Sequence, residues 1–182
     1  MTDSLKNWIP YRLNFTDNEW KVAWLDLGDH YINEPFFDET IDICKAEMLN
    51  RSQFRSQTDL SFLLANSDNR SGLLPTAFIF HVSRCGSTLL SQILSVDRNN
   101  IVIPEAPILD EVLKMREQDP SLSVDDLKNY FIAMVKIMGQ KRSGTEQNYF
   151  IKLDSWHLHY YQWLRAWFPT TPVYFISREP RA

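Results

Sequence analysis

Between residues 76 and 177 the chain alternates short apolar runs with segments whose apolar positions recur every three or four residues. Thr76 to Ser83, Asn100 to Ile103, Tyr149 to Leu153 and Val173 to Ser177 are rich in β-branched and aromatic side chains and predict four buried strands. Helical spacing fills the intervals. Ser87 to about Val96 places Leu89, Leu90, Ile93 and Leu94 on one face, and Pro107 to Gln118 runs until Pro120 breaks it. Ser123 with Asp125 and Asp126 opens a further helix that ends near Gly139, and Ser155 to Phe168 predicts the last one. Lys141 to Gln147 is a polar loop, and Pro169-Thr170-Thr171-Pro172 is a turn. Strands alternating with helices predict an α/β fold with a parallel sheet covered on both faces.

The first seventy residues follow another pattern. Lys21 to Leu27 predicts a strand, Pro35 to Leu49 and Thr58 to Ala65 predict helices, and Asn66 to Gly72 is polar enough for a linker. No chemical motif stands out there. Residues 1–70 are expected to be an N-terminal extension packing on a core domain of residues 71–182.

Open α/β sheets bind ligands outside the carboxyl ends of their strands. Four charged residues fall at such ends: Arg84, Glu105, Asp154 and Arg178. The most informative of these ends is Arg84-Cys85-Gly86-Ser87-Thr88-Leu89, where a strand turns through Gly86 into a helix. The first amides of a helix have no intrahelical acceptor and sit at its positive end, so residues 86–89 can surround an oxyanion while Arg84 adds a full charge. Several better-known loops do not fit. Ser87 stands where a Walker A loop needs Lys. A phosphatase loop using Cys85 would close on an Arg where Ser91 stands, and Cys85 and Leu89 break the G-x-S-x-G elbow of acyl-transfer enzymes.

The remaining arrangement, an Arg two residues before Gly and then Ser-Thr-Leu-Leu, resembles the phosphosulfate-binding loop of the sulfotransferase family. The resemblance spans about Pro75 to Arg181, the amino-terminal part of that fold. It implies a three-layer, P-loop-type α/β domain with 3′-phosphoadenosine 5′-phosphosulfate as co-substrate and no metal. Arg84, Cys85, Gly86, Ser87, Thr88 and Leu89 would bind its 5′-phosphosulfate end. Val173 to Arg181 looks like the family's 3′-phosphate segment, with Arg178 on that phosphate and Pro180 opening the next helix. Glu105, beyond the second strand, would be the base that takes the acceptor's proton alongside catalytic Arg84, with a pKa best raised toward neutrality. The His of the cytosolic branch is replaced in Lys152-Leu153-Asp154, which leaves Asp154 as a backup base. Family members continue beyond the position of Ala182 with further 3′-phosphate and adenine contacts, so the domain is expected to be truncated on its C-terminal side, with weak or no activity alone. The acceptor, a hydroxyl or amine on a small molecule or peptide, is not legible.

Two other readings stay open. One is a P-loop kinase or nucleotide-binding protein in which Phe150 to Asp154 imitates a magnesium-binding strand. The other is a non-catalytic, truncated binding protein, in which an exposed last strand favours a homodimer.

Composition narrows the setting without choosing the chemistry. With 182 residues, 44% of them apolar, one sizeable core is expected. A net charge of −4 argues against nucleic-acid binding. Met1 to Lys6 lacks an apolar signal region, and no run approaches a membrane span, so a cytoplasmic protein is expected. Cys44 and Cys85 are too few for a disulfide framework. His157 and His159, two apart, would splay on a helix and predict no metal site, while Trp156, Tyr160, Trp163 and Trp167 at helical spacing predict core.

Overall fold

A computed structural model describes residues 5–51, 56–68 and 72–179, without the side chains of residues 50 and 51. Its centre is a four-stranded, wholly parallel sheet in the order β5-β6-β4-β7. The strands are β4 (Ala77–His81), β5 (Asn100–Pro104), β6 (Asn148–Lys152) and β7 (Val173–Ile176). The apolar runs of β4, β5 and β6 lie largely in the core, where Phe78, Phe80, Ile103, Tyr149 and Ile151 are almost completely buried. The expectation of a buried strand is corrected for β7, an edge strand whose Tyr174 and Phe175 are more than half exposed. Parallel neighbours require crossovers, and helices supply them. Between β4 and β5 lies α3 (Ser87–Val96); between β5 and β6 lie α4 (Pro107–Leu113), α5 (Met115–Gln118) and α6 (Val124–Met138); between β6 and β7 a 3-10 helix (Ser155–Tyr160) leads into α7 (Tyr161–Trp167).

Local signals explain the boundaries. At the start of α6 the Ser123 hydroxyl accepts the Asp126 amide at 3.0 Å while the Asp126 carboxylate accepts the Ser123 amide at 2.8 Å, a reciprocal cap. Gly139 ends that helix where a side chain would strike the Leu73 carbonyl and the Tyr149 ring, both 2.6 Å from its Cβ position. The predicted helix over Pro107 to Gln118 is interrupted at Lys114, whose amide reaches back to the carbonyls of Asp110 and Glu111. The helix predicted from Ser155 begins as a 3-10 segment, held by Asp154 and His157 capping each other.

Two expectations about faces are corrected. On α3 the serines, Ser87, Ser91 and Ser95, are buried, whereas Leu89, Ile93 and Val96 are exposed. Small side chains let the helix axis approach the sheet, and Ser91 and Ser95 satisfy their hydroxyls by donating to the Thr88 and Gln92 carbonyls. The aromatic series at helical spacing is only partly core. Tyr160, Trp163 and Trp167 form a chain of ring contacts at 5.5 and 5.7 Å, but Trp156 is half exposed and turned elsewhere.

The N-terminal region is a second, antiparallel sheet of β1 (Trp8–Thr16), β2 (Glu19–Asp26) and β3 (Gln57–Asp59), with α1 (Phe37–Arg51) and α2 (Leu60–Asp68). The expected strand Lys21 to Leu27 is β2. Its partner β1 joins it through Asp17 and Asn18, both at positive φ as a tight hairpin turn requires. The helical reading of Thr58 to Ala65 is corrected at its start, where β3 precedes α2. The predicted linker Asn66 to Gly72 is corrected at both ends, where Asn66 to Asp68 complete α2 and Gly72 bridges Gln140; residues 69–71 lie outside the described residues. This region joins the parallel-sheet region through specific contacts. Glu111 accepts from Arg12 and from the Leu13 amide, the Trp20 indole donates to Asp119, and Gln140 donates to the Trp8 carbonyl. No helix among the described residues is long and apolar enough to cross a membrane.

Candidate functional site

Beyond β4 the backbone turns sharply. Arg84 has φ 59° and Gly86 φ 92°, the left-handed region that only glycine adopts without cost. This turn places α3 at the strand's end. Gly86 is the residue before the helix and offers no side-chain cap; its carbonyl accepts the Leu90 amide at 3.2 Å. The amides of Gly86, Ser87, Thr88 and Leu89 have no acceptor among the described residues. Nothing stands within 4 Å of the Gly86 Cβ position, so the space over the turn is open. Arg84 and Gly86 are exposed, Cys85 and Thr88 are half-buried, and Ser87 is buried. Arg178 is exposed two residues beyond β7, whose Ile176 pairs with His81 and accepts the Val82 amide. Pro180 and Arg181 lie outside the described residues.

A charged network occupies the neighbouring strand ends. Glu105 follows β5 at φ 55°, and its amide donates to the Lys152 carbonyl at 2.8 Å. Its Oε1 receives the Lys152 ammonium and His81 Nε2, the latter at 3.1 Å. Lys152 is fully buried and His81 nearly so. Burial pushes the Glu105 carboxyl up, but hydrogen bonds from His81 and Lys152 outweigh it and hold it below the usual carboxylate range. That direction is opposite to the raised pKa expected of a base at this position. His81 was hidden in the sequence, since it reads as the last residue of an apolar run. Its role appears only when the sheet order sets three strand ends side by side.

Asp154 differs. Burial pushes its carboxyl up to about 6, helped by the nearby Glu105 and Asp110 charges and opposed by His157 and Lys152. Asp110, on α4, is held far below its ordinary value: burial is outweighed by donation from His157 Nε2 at 3.0 Å, the Lys114 ammonium at 2.8 Å and the Trp156 indole at 2.8 Å. His157 Nδ1 accepts the Asp154 amide at 3.2 Å, so Nε2 carries the proton given to Asp110. His157 thereby positions the start of the 3-10 helix. His159 is exposed, and no group of three or more His, Cys, Asp or Glu side chains able to hold a metal occurs among the described residues.

Glu105, Asp110 and Asp154 border a cleft of about 270 Å³, whose walls include Pro107, the Trp156 indole and, from the N-terminal region, Arg12, Phe36 and Asp38. That region therefore reaches the strand ends, a contribution its sequence did not signal. The structure thus brings Glu105, Lys152 and Asp154 together and puts the loop around Arg84 one strand away, at the end of β4. Arg178 stands at the end of the next strand, β7, on the side away from Glu105.

Fold and site define an α/β protein with an open amide cradle at the carboxyl end of an interior parallel strand. No family model, curated protein or solved structure matches the chain.

Proposed function

We propose that this chain is a sulfotransferase-like protein with a three-layer, P-loop-type architecture, whose β4–α3 loop takes the 5′ end of 3′-phosphoadenosine 5′-phosphosulfate. The observation that carries the reading is the set of four amides, Gly86 to Leu89, left without acceptors among the described residues around an open left-handed glycine beside Arg84. Such a cradle fits a tetrahedral oxyanion bearing several acceptor oxygens. Arg84, Cys85, Gly86, Ser87, Thr88 and Leu89 hold that end, and Arg178, at the end of the adjoining strand, holds the 3′-phosphate. When bound, the co-substrate supplies an activated sulfuryl group on a phosphate leaving group.

The protein's own contribution is placement, charge and one proton. Arg84 and the loop amides stabilise negative charge where it develops, and removing one such donor typically costs about 10²–10³ in rate. The cleft beside Glu105 receives the hydroxyl or amine acceptor, and Asp154 removes its proton. A carboxyl poised at about 6 inside that cleft supports this role better than Glu105, which is committed to His81 and Lys152. Glu105 positions the Lys152 ammonium at the strand ends. A cytoplasmic setting belongs to the same reading.

Titration calorimetry with adenosine 3′,5′-bisphosphate, and separately with ATP plus Mg²⁺, tests the reading. Saturable binding of the bisphosphate without metal is expected, weakened roughly 10- to 100-fold by Arg84→Ala through the loss of a charge-assisted contact. Binding of ATP only with Mg²⁺ would instead identify a kinase-type nucleotide site, and binding indifferent to Arg84 would remove the loop from the account.

A further inference from the structure

A second polar cleft, of about 410 Å³, lies at the opposite end of the parallel sheet, against the amino ends of β5 and β6. Asn100 and Ile101 begin one strand, and the loop Arg142 to Glu146 leads into the other. This loop is folded around its own carboxylate. Glu146 accepts the amides of Arg142, Ser143 and Gly144 at 2.9, 2.8 and 2.8 Å, so its charge is engaged by the backbone. The Arg142 guanidinium is left in an unusual state, because its Nη1 is buried and has no hydrogen-bond partner among the described residues. Arginine does not shed its proton, so a buried nitrogen of this kind calls for an acceptor.

The rest of the cleft points the same way. Arg98 stands over the Tyr31 ring, its guanidinium carbon 3.9 Å from the centroid, which fixes a second planar cation at the rim. The Tyr31 hydroxyl is anchored within 2.9 to 3.1 Å of the carbonyls of Ser95, Asp97 and Asn100. Lys6 adds a third cation, against which Asp29 is the remaining carboxylate in the lining once Glu146 is engaged. His30 also faces the cleft, but its ring contacts Glu34 at 3.0 Å.

We propose that this cleft binds a small oxyanion-bearing molecule, of phosphate or carboxylate chemistry, between Arg142 inside and Arg98 and Lys6 at the rim. Two planar guanidinium groups suit ligands that present paired oxygens. The volume suits a metabolite rather than a bare ion. The site lies across the sheet from the β4–α3 loop and stands or falls independently of it.

Amide NMR of the full chain, titrated at constant ionic strength with inorganic phosphate and separately with malonate, tests it. At least one anion is expected to produce saturable shifts of the Ser143, Gly144 and Thr145 amides. Arg142→Gln should weaken the response roughly 10- to 100-fold. If that variant does not fold, Arg98→Gln, at an exposed position, should weaken it by about threefold to tenfold. Arg84→Ala should leave these shifts unchanged. Shifts confined to residues 86–89, linear non-saturating shifts, or a response that survives loss of both arginines would overturn the proposal.

Discussion

The Lys152 ammonium and the Glu105 carboxylate form an ion pair across the ends of adjacent parallel strands, with the Lys152 side chain fully removed from solvent. Both backbones take part, since the Glu105 amide donates to the Lys152 carbonyl. The pair fixes the left-handed exit from β5 and so the start of α4. His81, donating from Nε2 to the same oxygen, ties in the end of β4.

The two partners are not equivalent, and substitution should show it. Glu105→Gln leaves a buried ammonium without its anion, a loss of about 3–5 kcal/mol. Lys152→Met leaves Glu105 partly exposed and still in contact with His81, so a smaller loss of about 1–3 kcal/mol is expected. Urea denaturation of both variants checks the order. A larger loss for Lys152→Met would mean that Lys152 contributes by packing its stem rather than by its charge.

Asp154 predicts a pH dependence of opposite sign to that of Glu105. Its carboxyl titrates at about 6 in the folded chain against an ordinary 3.8. Below 3.8 both states are protonated and the group has no effect; above 6 both are ionised and the folded state carries the full penalty. Stability from this group therefore falls as pH rises between about 4 and 6, by on the order of 2–3 kcal/mol. Glu105, held low, contributes in the other direction: its share is present above its ordinary 4.5 and is lost as pH falls through the folded value. Asp154→Asn should stabilise the protein at pH 7 by about 1–3 kcal/mol and leave it unchanged at pH 3, because Asn keeps the capping oxygen for the His157 amide. Thermal unfolding at the two pH values is the measurement. An equal gain at both would assign the effect to packing.

Gly86→Ala separates backbone strain from steric fit. The φ of 92° costs a non-glycine residue about 1–2 kcal/mol, yet a Cβ there meets no atom within 4 Å. The variant should fold, lose about that much stability in urea, and pack its core as before. A much larger loss would mean that something in the folded chain does cover the turn.

How much of this was legible in the sequence depends on whether the controlling interaction was local. The strand–turn–helix at Arg84 to Leu89 could be read because β-branched residues, a glycine and the start of a helical period follow one another directly. The Ser123 cap and the ends of α3 were legible for the same reason. The His81–Glu105–Lys152 network was not, because it exists only once the order β5-β6-β4 is known, and nothing local gives that order. Nor was β1, whose alternation is blurred by a register shift between Pro10 and Arg12. Trp156 was misjudged because helical spacing presumes an α-helix, whereas the chain there is 3-10, with a different phase.

The face of α3 gives the sharpest contrast between pattern and structure. A hydrophobic-face reading puts Leu89 and Ile93 inside, while the fold puts Ser91, 2% exposed, against the sheet and leaves Ile93 59% exposed. Helix and sheet approach closely there because the inward side chains are small and their hydroxyls are satisfied by the preceding turn. Enlarging the inward position should then be costly: Ser91→Leu overpacks the contact and should lose about 1–3 kcal/mol. Making the outward position polar should be nearly free, with Ile93→Ser changing stability by no more than about 0.5–1 kcal/mol, the intrinsic helix preference included. The conventional amphipathic orientation predicts the reverse, since burying Ile93 would make its truncation the damaging change. Chemical denaturation of the two single variants therefore decides which face of α3 meets the sheet, and with it whether the amides of residues 86–89 point into open space at the end of β4.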